Sequence, residues 1–365
     1  MPRRNRTKIE QVSVDLPASV PLLSPTELGD QARRAAEEIL VAGQAENTLR
    51  SYRSAMRYWC AWAQARYGKP FALPAPLPLV LQFVVDHLAR GAANRPLCEL
   101  PPAIDKLLVE GGFKGNLGPL KMATVTHRVA VLSKLHQLRH LPNPCEDPQL
   151  RHLLSRAKRA ASKRGETVSK KTAATKAPLE AMIATCDDSL QGIRDKAILL
   201  FGWSSGGRRR SEVASATMDQ LIRHAPGEYS FRLSRSKTNQ DGTQDSPDKP
   251  VVGAAGAALE AWLKAANISE GPIFRRLWKS TVGPSLNGAA VADIVRRRAR
   301  RAGVDGNWAG HSLRSGFVTE AGKQNVPLGD VMAMTDHRKV DTVLGYFKAG
   351  QLSRTLVGNL FDKAD

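Results

Sequence analysis

Residues 311–346 read HSLRSGFVTEAGKQNVPLGDVMAMTDHRKVDTVLGY. His311 and Arg314 stand three apart, and helical positions at that spacing share one face. An imidazole and a guanidinium therefore aim at the same place. The stretch patterns as helices over His311–Gln324, Leu328–Thr335 and Asp341–Phe347. Asp336-His337 follows the second of these, and Tyr346 comes nine residues after His337. Taken singly, these are a pair on a helix surface and a tyrosine whose buried hydroxyl finds a partner.

Outward from this stretch, two more segments carry chemistry. Gly206-Gly207-Arg208-Arg209-Arg210-Ser211-Glu212 follows an apolar helix, Ile193–Trp203, entered through Arg194-Asp195. Guanidinium is permanently charged and can bind two phosphate oxygens at once, and Glu212 is placed to orient one such group. Tyr229–Leu233 alternates as a strand, Asn239–Gly242 supplies turn chemistry, and Lys249–Val252 offers a return strand. Together they make a β-ribbon that presents Lys237, within Ser236-Lys237-Thr238, near its tip. Each feature has a plain reading when alone: an ion pair at a helix start, or a lysine on the surface.

As a set the residues say more. Two Arg, one Lys, two His and a Tyr are what phosphoryl transfer without a metal requires. The Arg pair would neutralise the charge that a pentavalent phosphorane gains only in the transition state. A tyrosyl phosphodiester conserves the bond energy for religation. Lys and His would move protons to and from the leaving 5′ oxygen and the phenol. No Asp/Glu cluster suggests a two-metal site, and no Gly-rich loop ending in Lys-Ser/Thr suggests nucleotide binding. No cofactor or metal is expected.

Composition agrees. Across 365 residues, 54 Lys and Arg oppose 34 Asp and Glu, a net charge of +20 that fits a polyanionic partner, or solubility alone. The length favours two domains, and 42% hydrophobic residues suffice for ordinary cores. Cys60, Cys98, Cys145 and Cys186 form no CxxC pair, which fits a reducing compartment. With no membrane-length apolar run and no apolar segment in MPRRNRTKIEQ, a soluble cytoplasmic protein is expected.

The first half reads as all helix. Residues 1–27 are a flexible basic arm, and 28–161 a helical domain. Asn47 is placed to cap a helix from Thr48 to Tyr67, with Leu49, Tyr52, Met56, Trp59, Cys60 and Ala63 on its apolar side and Trp62 between faces. Pro78 begins another, and a short helix is expected at Ala103–Glu110. Ala123–Leu138 carries Val125, Val129, Leu132 and Leu135 on one side, and His127, Arg128, Lys134 and His136 as polar positions. Leu150–Ala161 is helical, and 162–176 is a basic linker suited to tracking phosphates. Beyond it lie a domain over 177–349 and a tail over 350–365, with helices at Ala255–Ala266, Gly288–Ala302 and Gln351–Phe361 among its elements.

The order Arg209-x-Ser211-Glu212, Lys237, His311-x-x-Arg314, His337, Tyr346 resembles the tyrosine recombinase (phage integrase) family in both order and spacing. In this alignment Arg209 is the first catalytic arginine, with Arg208 and Arg210 as mere neighbours, Lys237 the ribbon lysine and Tyr346 the nucleophile. Asn47-Thr48 with Tyr52, Trp59 and Trp62, and the helix from Thr124 to His136, are similar to parts of the family's core-binding domain. The layout is nearest to Cre-like and simple integrase members, over about residues 30–350. The sequence departs at Met334-Thr335-Asp336-His337, where the family has Leu-Gly-His, so Asp336 alters the turn or bonds a neighbour.

The resemblance implies an α-helical core-binding domain, a SAM-like bundle, joined to a mixed α+β, mostly helical catalytic domain with a small antiparallel sheet. It implies a C-shaped clamp on double-stranded DNA, cleavage through a 3′-phosphotyrosyl intermediate, and a homotetramer assembled on the recombination site. Leu352, Leu356, Val357, Leu360 and Phe361 give the tail an apolar face for docking on a neighbouring protomer or in cis. The RRRARR run within Ile294–Arg301 would meet phosphates or be merely solvated. The competing readings are a type IB topoisomerase, which needs neither paired sites nor a docking tail, and a DNA-binding protein of this fold without cleavage.

Overall fold

Trp59 and Phe83 stack with ring centroids 3.7 Å apart, and Trp62 meets Phe83 edge-on at 5.1 Å. Around these rings the first part of the chain folds. The computed structural model describes residues 46–91, 97–166, 170–233, 247–279 and 281–351, with scattered positions between 29 and 43. The chain divides into two compact units, residues 1–167 and 168–365. In the first, the helices are α1 (Glu46–Tyr67), α2 (Leu77–His87), α3 (Pro102–Glu110), α4 (Met122–Leu138) and α5 (Pro148–Lys163). Val80, Val84, Leu108, Val125, Val129, Leu132 and Leu150 complete the core.

The stripe on α1 differs from the expected one. Ala55, Tyr58, Trp59, Trp62 and Ala63 are buried, while Cys60 is exposed. Two indoles bury far more apolar area than a thiol, so the helix turns to cover both. Each indole N–H still finds an acceptor: Trp59 donates to Arg128 O at 3.1 Å and Trp62 to Asp86 Oδ2 at 3.0 Å. Asn47 lies inside α1 rather than capping it.

His136, expected at a polar position, is fully buried. Its Nδ1–H donates to Leu132 O at 2.9 Å, so its Nε2 is free to accept the Ala75 N–H at 3.0 Å. His87 is arranged alike, donating from Nδ1 to Phe83 O and accepting the Tyr58 hydroxyl at Nε2, both at 2.7 Å. Burial above all, then the nearby charges of Arg128 and Lys114, push His87 down to about 3. Its unfolded value is near 6.5, so the unfolded chain binds the extra proton first. Stability carried by neutral His87 is complete above about pH 6.5 and drains as pH falls toward 3, by on the order of 4 kcal/mol in all. Urea unfolding at pH 7 and pH 4.5 should show a loss that shrinks markedly in His87→Gln. An equal loss in that variant would place the titration elsewhere.

The second unit begins within the basic stretch 162–176. Ser162 and Lys163 belong to α5, whereas Thr172 N donates to Asn307 O at 3.1 Å and Ala174 N to Ser312 O at 2.9 Å. The segment runs so close to a later helix that a Cβ on Gly316 would stand 2.0 Å from Ala174 O. Then follow α6 (Lys176–Ala184), α7 (Leu190–Ser204), α8 (Arg210–Ala214), β1 (Leu221–Ala225), β2 (Glu228–Phe231), β3 (Lys249–Val251) and α9 (Ala254–Ala265). After them come β4 (Arg275–Trp278), β5 (Thr281–Ser285), α10 (Gly288–Arg301), α11 (His311–Lys323), α12 (Leu328–Thr335) and α13 (Val340–Gln351).

β1, β2 and β3 form an antiparallel sheet in that order, with Tyr229 opposite Val251 and Phe231 opposite Lys249. β1 was not expected, because its half-buried and exposed positions do not alternate. The β4–β5 hairpin was missed too. α7 buries Ala197, Ile198, Leu199, Leu200 and Phe201 in succession, wedged between α9 with Trp262 on one side and α11 on another. The ribbon tip with Lys237 and the tail with Leu352 to Phe361 lie outside the described residues. Among those described, no helix is long and apolar enough to cross a membrane.

The RRRARR run is partly interior. Arg298 on α10 is fully buried, and its Nε donates to Asp195 Oδ2 of α7 at 2.9 Å. Arg297 donates to the same oxygen at 2.7 Å and Arg194 to Oδ1 at 2.9 Å. A buried carboxylate that gathers guanidinium groups from two helices is a structural joint, neither a phosphate contact nor a solvated charge.

Candidate active site

Gly206 and Gly207 connect α7 to α8 with φ of +97° and +65°. A Cβ on Gly206 would stand 2.1 Å from Met334 O, and one on Gly207 2.6 Å from the Arg314 Cα. Glycine alone permits that approach, and it brings the start of α8 against α11 and the end of α12. Arg209 is the residue capping α8, and its backbone N–H donates to Glu212 Oε2 at 3.0 Å. The other Glu212 oxygen takes the Arg209 guanidinium. Glu212 is 6% exposed, so the arginine is oriented by an interior carboxylate while a fifth of its side chain reaches solvent.

Arg314 lies on α11 with 2% exposure. One terminal nitrogen donates to Gly207 O at 3.1 Å, and the other donates to Thr335 O and faces the His337 ring at 3.2 Å. Burial, then the charges of Arg209 and Arg208, hold its guanidinium down to about 9. That is a concentration of positive charge kept apart from water, suited to an anion. His337 follows α12. Thr335 Oγ1 donates to Val331 O, so it accepts from His337 Nδ1–H at 2.7 Å. Burial first, then Arg314 and Arg209, push His337 down to about 4.

α13 packs on α11 through Val318, Ala321, Val343 and Phe347, with Gly322 facing Phe347 O where a Cβ would meet it at 2.2 Å. This contact sets Tyr346 over the first turn of α11. Its hydroxyl is 3.5 Å from His311 Nε2. His311 is lowered from its ordinary range by partial burial, then by Arg314 and Arg209.

The structure thus gathers Arg209, His311, Arg314, His337 and Tyr346, with Glu212 behind them, while Lys237 lies outside the described residues. Sequence reasoning missed two contributors. Arg208, set aside as a neighbour, is fully buried and donates to Asp336 Oδ2 at 2.9 Å. Lys249 is fully buried as well and donates to Asp336 Oδ1 at 2.9 Å. The available signal was Asp336 itself, a charge in place of the expected glycine. Arg210 is exposed.

Residues 173–351 match the model of the phage integrase family. An integrase/recombinase xerD homolog of Selenomonas ruminantium is 28% identical over 87% of this chain and 86% of its own length. Recombinase cre of Escherichia phage P1 is 20% identical over 90% and 92%. The crystal structure of a lambda integrase (residues 75–356) dimer bound to a COC′ core site aligns at a TM-score of 0.51 and 15% identity, over 87% of this chain and 94% of that one, which shows a shared fold. On the family model that residues 173–351 match, and with relatives that run along most of the chain, the second unit is that of a tyrosine recombinase of the phage integrase family.

Proposed function

We propose that this recombinase cleaves and rejoins a DNA recombination site through Tyr346. The phenol oxygen attacks the scissile phosphorus, the bond to the 5′ oxygen breaks, and a 3′-phosphotyrosyl link forms. The freed 5′ hydroxyl of the same or another strand then reverses the step and reseals the DNA. The observation that carries this reading is the Tyr346 hydroxyl 3.5 Å from His311 Nε2, on the same helix face as Arg314 and within the field of Arg209. Arg209 and Arg314 bind the non-bridging oxygens and oppose the charge that grows on them in the transition state.

His311 takes the phenolic proton. Near neutral pH both imidazoles are neutral, as a base must be, because burial and then the two guanidinium groups hold them there. A bound phosphate cancels part of that field and raises the affinity of His311 for the proton it receives. Lys237, by the family resemblance, protonates the leaving 5′ oxygen. The fold shared with a lambda integrase dimer bound to a COC′ core site supports a double-stranded DNA site as the partner. A homotetramer on paired sites, with the tail docking between protomers, completes the proposal.

The test is a duplex bearing the recombination site with a nick near the cleavage point, so that the small 5′ fragment diffuses away and religation fails. A covalent adduct should accumulate, and digestion should leave the nucleotide on the peptide containing Tyr346. Its rate should hold through neutral pH and fall only on acidification below the ordinary histidine range, as His311 protonates. Linkage through another residue, or cutting with no adduct at all, would remove the proposal.

A further inference from the structure

Asp336 has φ 54° and ψ 38°, a left-handed conformation in which a side chain is uncommon. It is the residue between α12 and His337, and its carboxylate joins two fully buried cations, Arg208 and Lys249. Those cations do a second thing. Lys249 donates to Ala333 O at 2.6 Å, Arg208 donates to Met334 O, and Arg314 donates to Thr335 O. The last three carbonyls of α12 are thereby each taken by a different cation, where a helix end would otherwise leave them without partners. The negative end of the helix and one carboxylate balance three positive groups in the interior.

We propose that Arg208, Asp336 and Lys249 form a buried clamp on the end of α12 that sets Arg314 and His337 for the phosphate, so that they act as positioning residues without touching DNA. The inference rests on the proposed function of Tyr346. Arg314 is held from one side by Gly207 O and from the other by Thr335 O, and both are backbone atoms fixed by the clamp. His337 leaves the chain one residue beyond Asp336, and its ring is held by Thr335 Oγ1. If α12 frays at this end, both active-site groups lose their supports together. Lys249 also begins β3, so the clamp ties the sheet to the same point.

The experiment uses the full chain and the nicked duplex at saturating concentration. Asp336→Asn keeps the size of the side chain and tolerates the left-handed backbone, while giving up the charge that holds two cations. Lys249→Met removes one clamp arm, and Lys249→Arg retains its charge and donors. Three quantities are read: the affinity for the intact duplex, the rate of adduct formation, and the final adduct yield per molecule of protein. Asp336→Asn and Lys249→Met should each slow the adduct at least tenfold, with affinity within twofold and final yield unchanged. The double variant should be no slower than the worse single, since both open one clamp, and Lys249→Arg should recover most of the rate.

A role confined to folding would lower the yield and leave the rate of the surviving molecules alone. That pattern overturns the proposal, as do near-parental rates in both variants or a loss that appears in affinity. If Lys249→Met fails to melt cooperatively, Asp336→Asn decides by the same readings. Parental protein that forms no adduct would instead refute the function assigned to Tyr346, an outcome separate from any result with the variants.

Discussion

Tyr346→Phe should bind the recombination site as the parent does and form no covalent adduct on it. The substitution removes one oxygen from a half-buried ring and leaves the α11–α13 packing, built on Val343 and Phe347, as it was. Among the described residues of the second unit, the phenol that faces His311 Nε2 is that of Tyr346. Arg209→Ala gives the complementary result. Binding should stay within a few-fold, because many cations share the phosphate contacts, while the adduct rate should fall by about 10²–10³, the usual cost of losing one preorganised donor to a developing oxyanion. Arg314→Ala should be slower again, since Arg314 also braces Gly207 O and Thr335 O, and its removal unsettles His337. Arg314→Lys keeps a charge yet cannot reach both carbonyls and a phosphate together, so it should recover little. The measurement is single-turnover adduct formation beside binding to intact duplex. An adduct in Tyr346→Phe, or an Arg209→Ala rate near the parent's, would break the assignment.

These assignments were readable because most of the residues proposed to react stand at local spacings. His311 and Arg314 share a face by helical period alone, and Glu212 lies one turn from Arg209. What distinguishes Arg209 from Arg208 and Arg210 is not local. The three have the same chemistry in sequence and three fates in space: ordered by Glu212 at the site, buried against Asp336, and exposed. The path of a charged side chain into the interior depends on a counter-charge more than a hundred residues away, which no periodicity reveals. The same holds for Arg298 in the RRRARR run, and His136 likewise answers to a partner beyond its own helix, the Ala75 N–H. Helices were legible from their apolar spacing, whereas β1 lacks the alternation that betrays a strand, and on α1 the reading favoured Cys60 over Trp62.

Asp195→Asn should be among the most destabilising single changes available in the catalytic unit, although it lies apart from the residues assigned to cleavage. Asp195 is fully buried and accepts from Arg194 at 2.9 Å, Arg297 at 2.7 Å and Arg298 at 2.9 Å. An asparagine of the same shape turns an amide N–H toward guanidinium groups and removes the carboxylate that, among the described residues, holds Arg298, which is itself fully buried and also bonded to Thr185 O. Breaking a buried ion pair from one side costs about 3–5 kcal/mol, because the charge left behind cannot return to water. In a unit of this size that corresponds to a melting temperature lowered by roughly 10 °C. Asp293→Asn on the same helix α10 provides the contrast: its pair with Arg296 is 61% and 49% exposed, and such pairs contribute about 1 kcal/mol or less. If burial of the uncompensated cation is the cause, adding Arg298→Met to Asp195→Asn should restore part of the lost stability, since apolar groups of similar length replace buried ion pairs well. Thermal melts of the four proteins decide it. Equal losses in Asp195→Asn and Asp293→Asn would mean that α7 and α10 are joined by their apolar contacts alone.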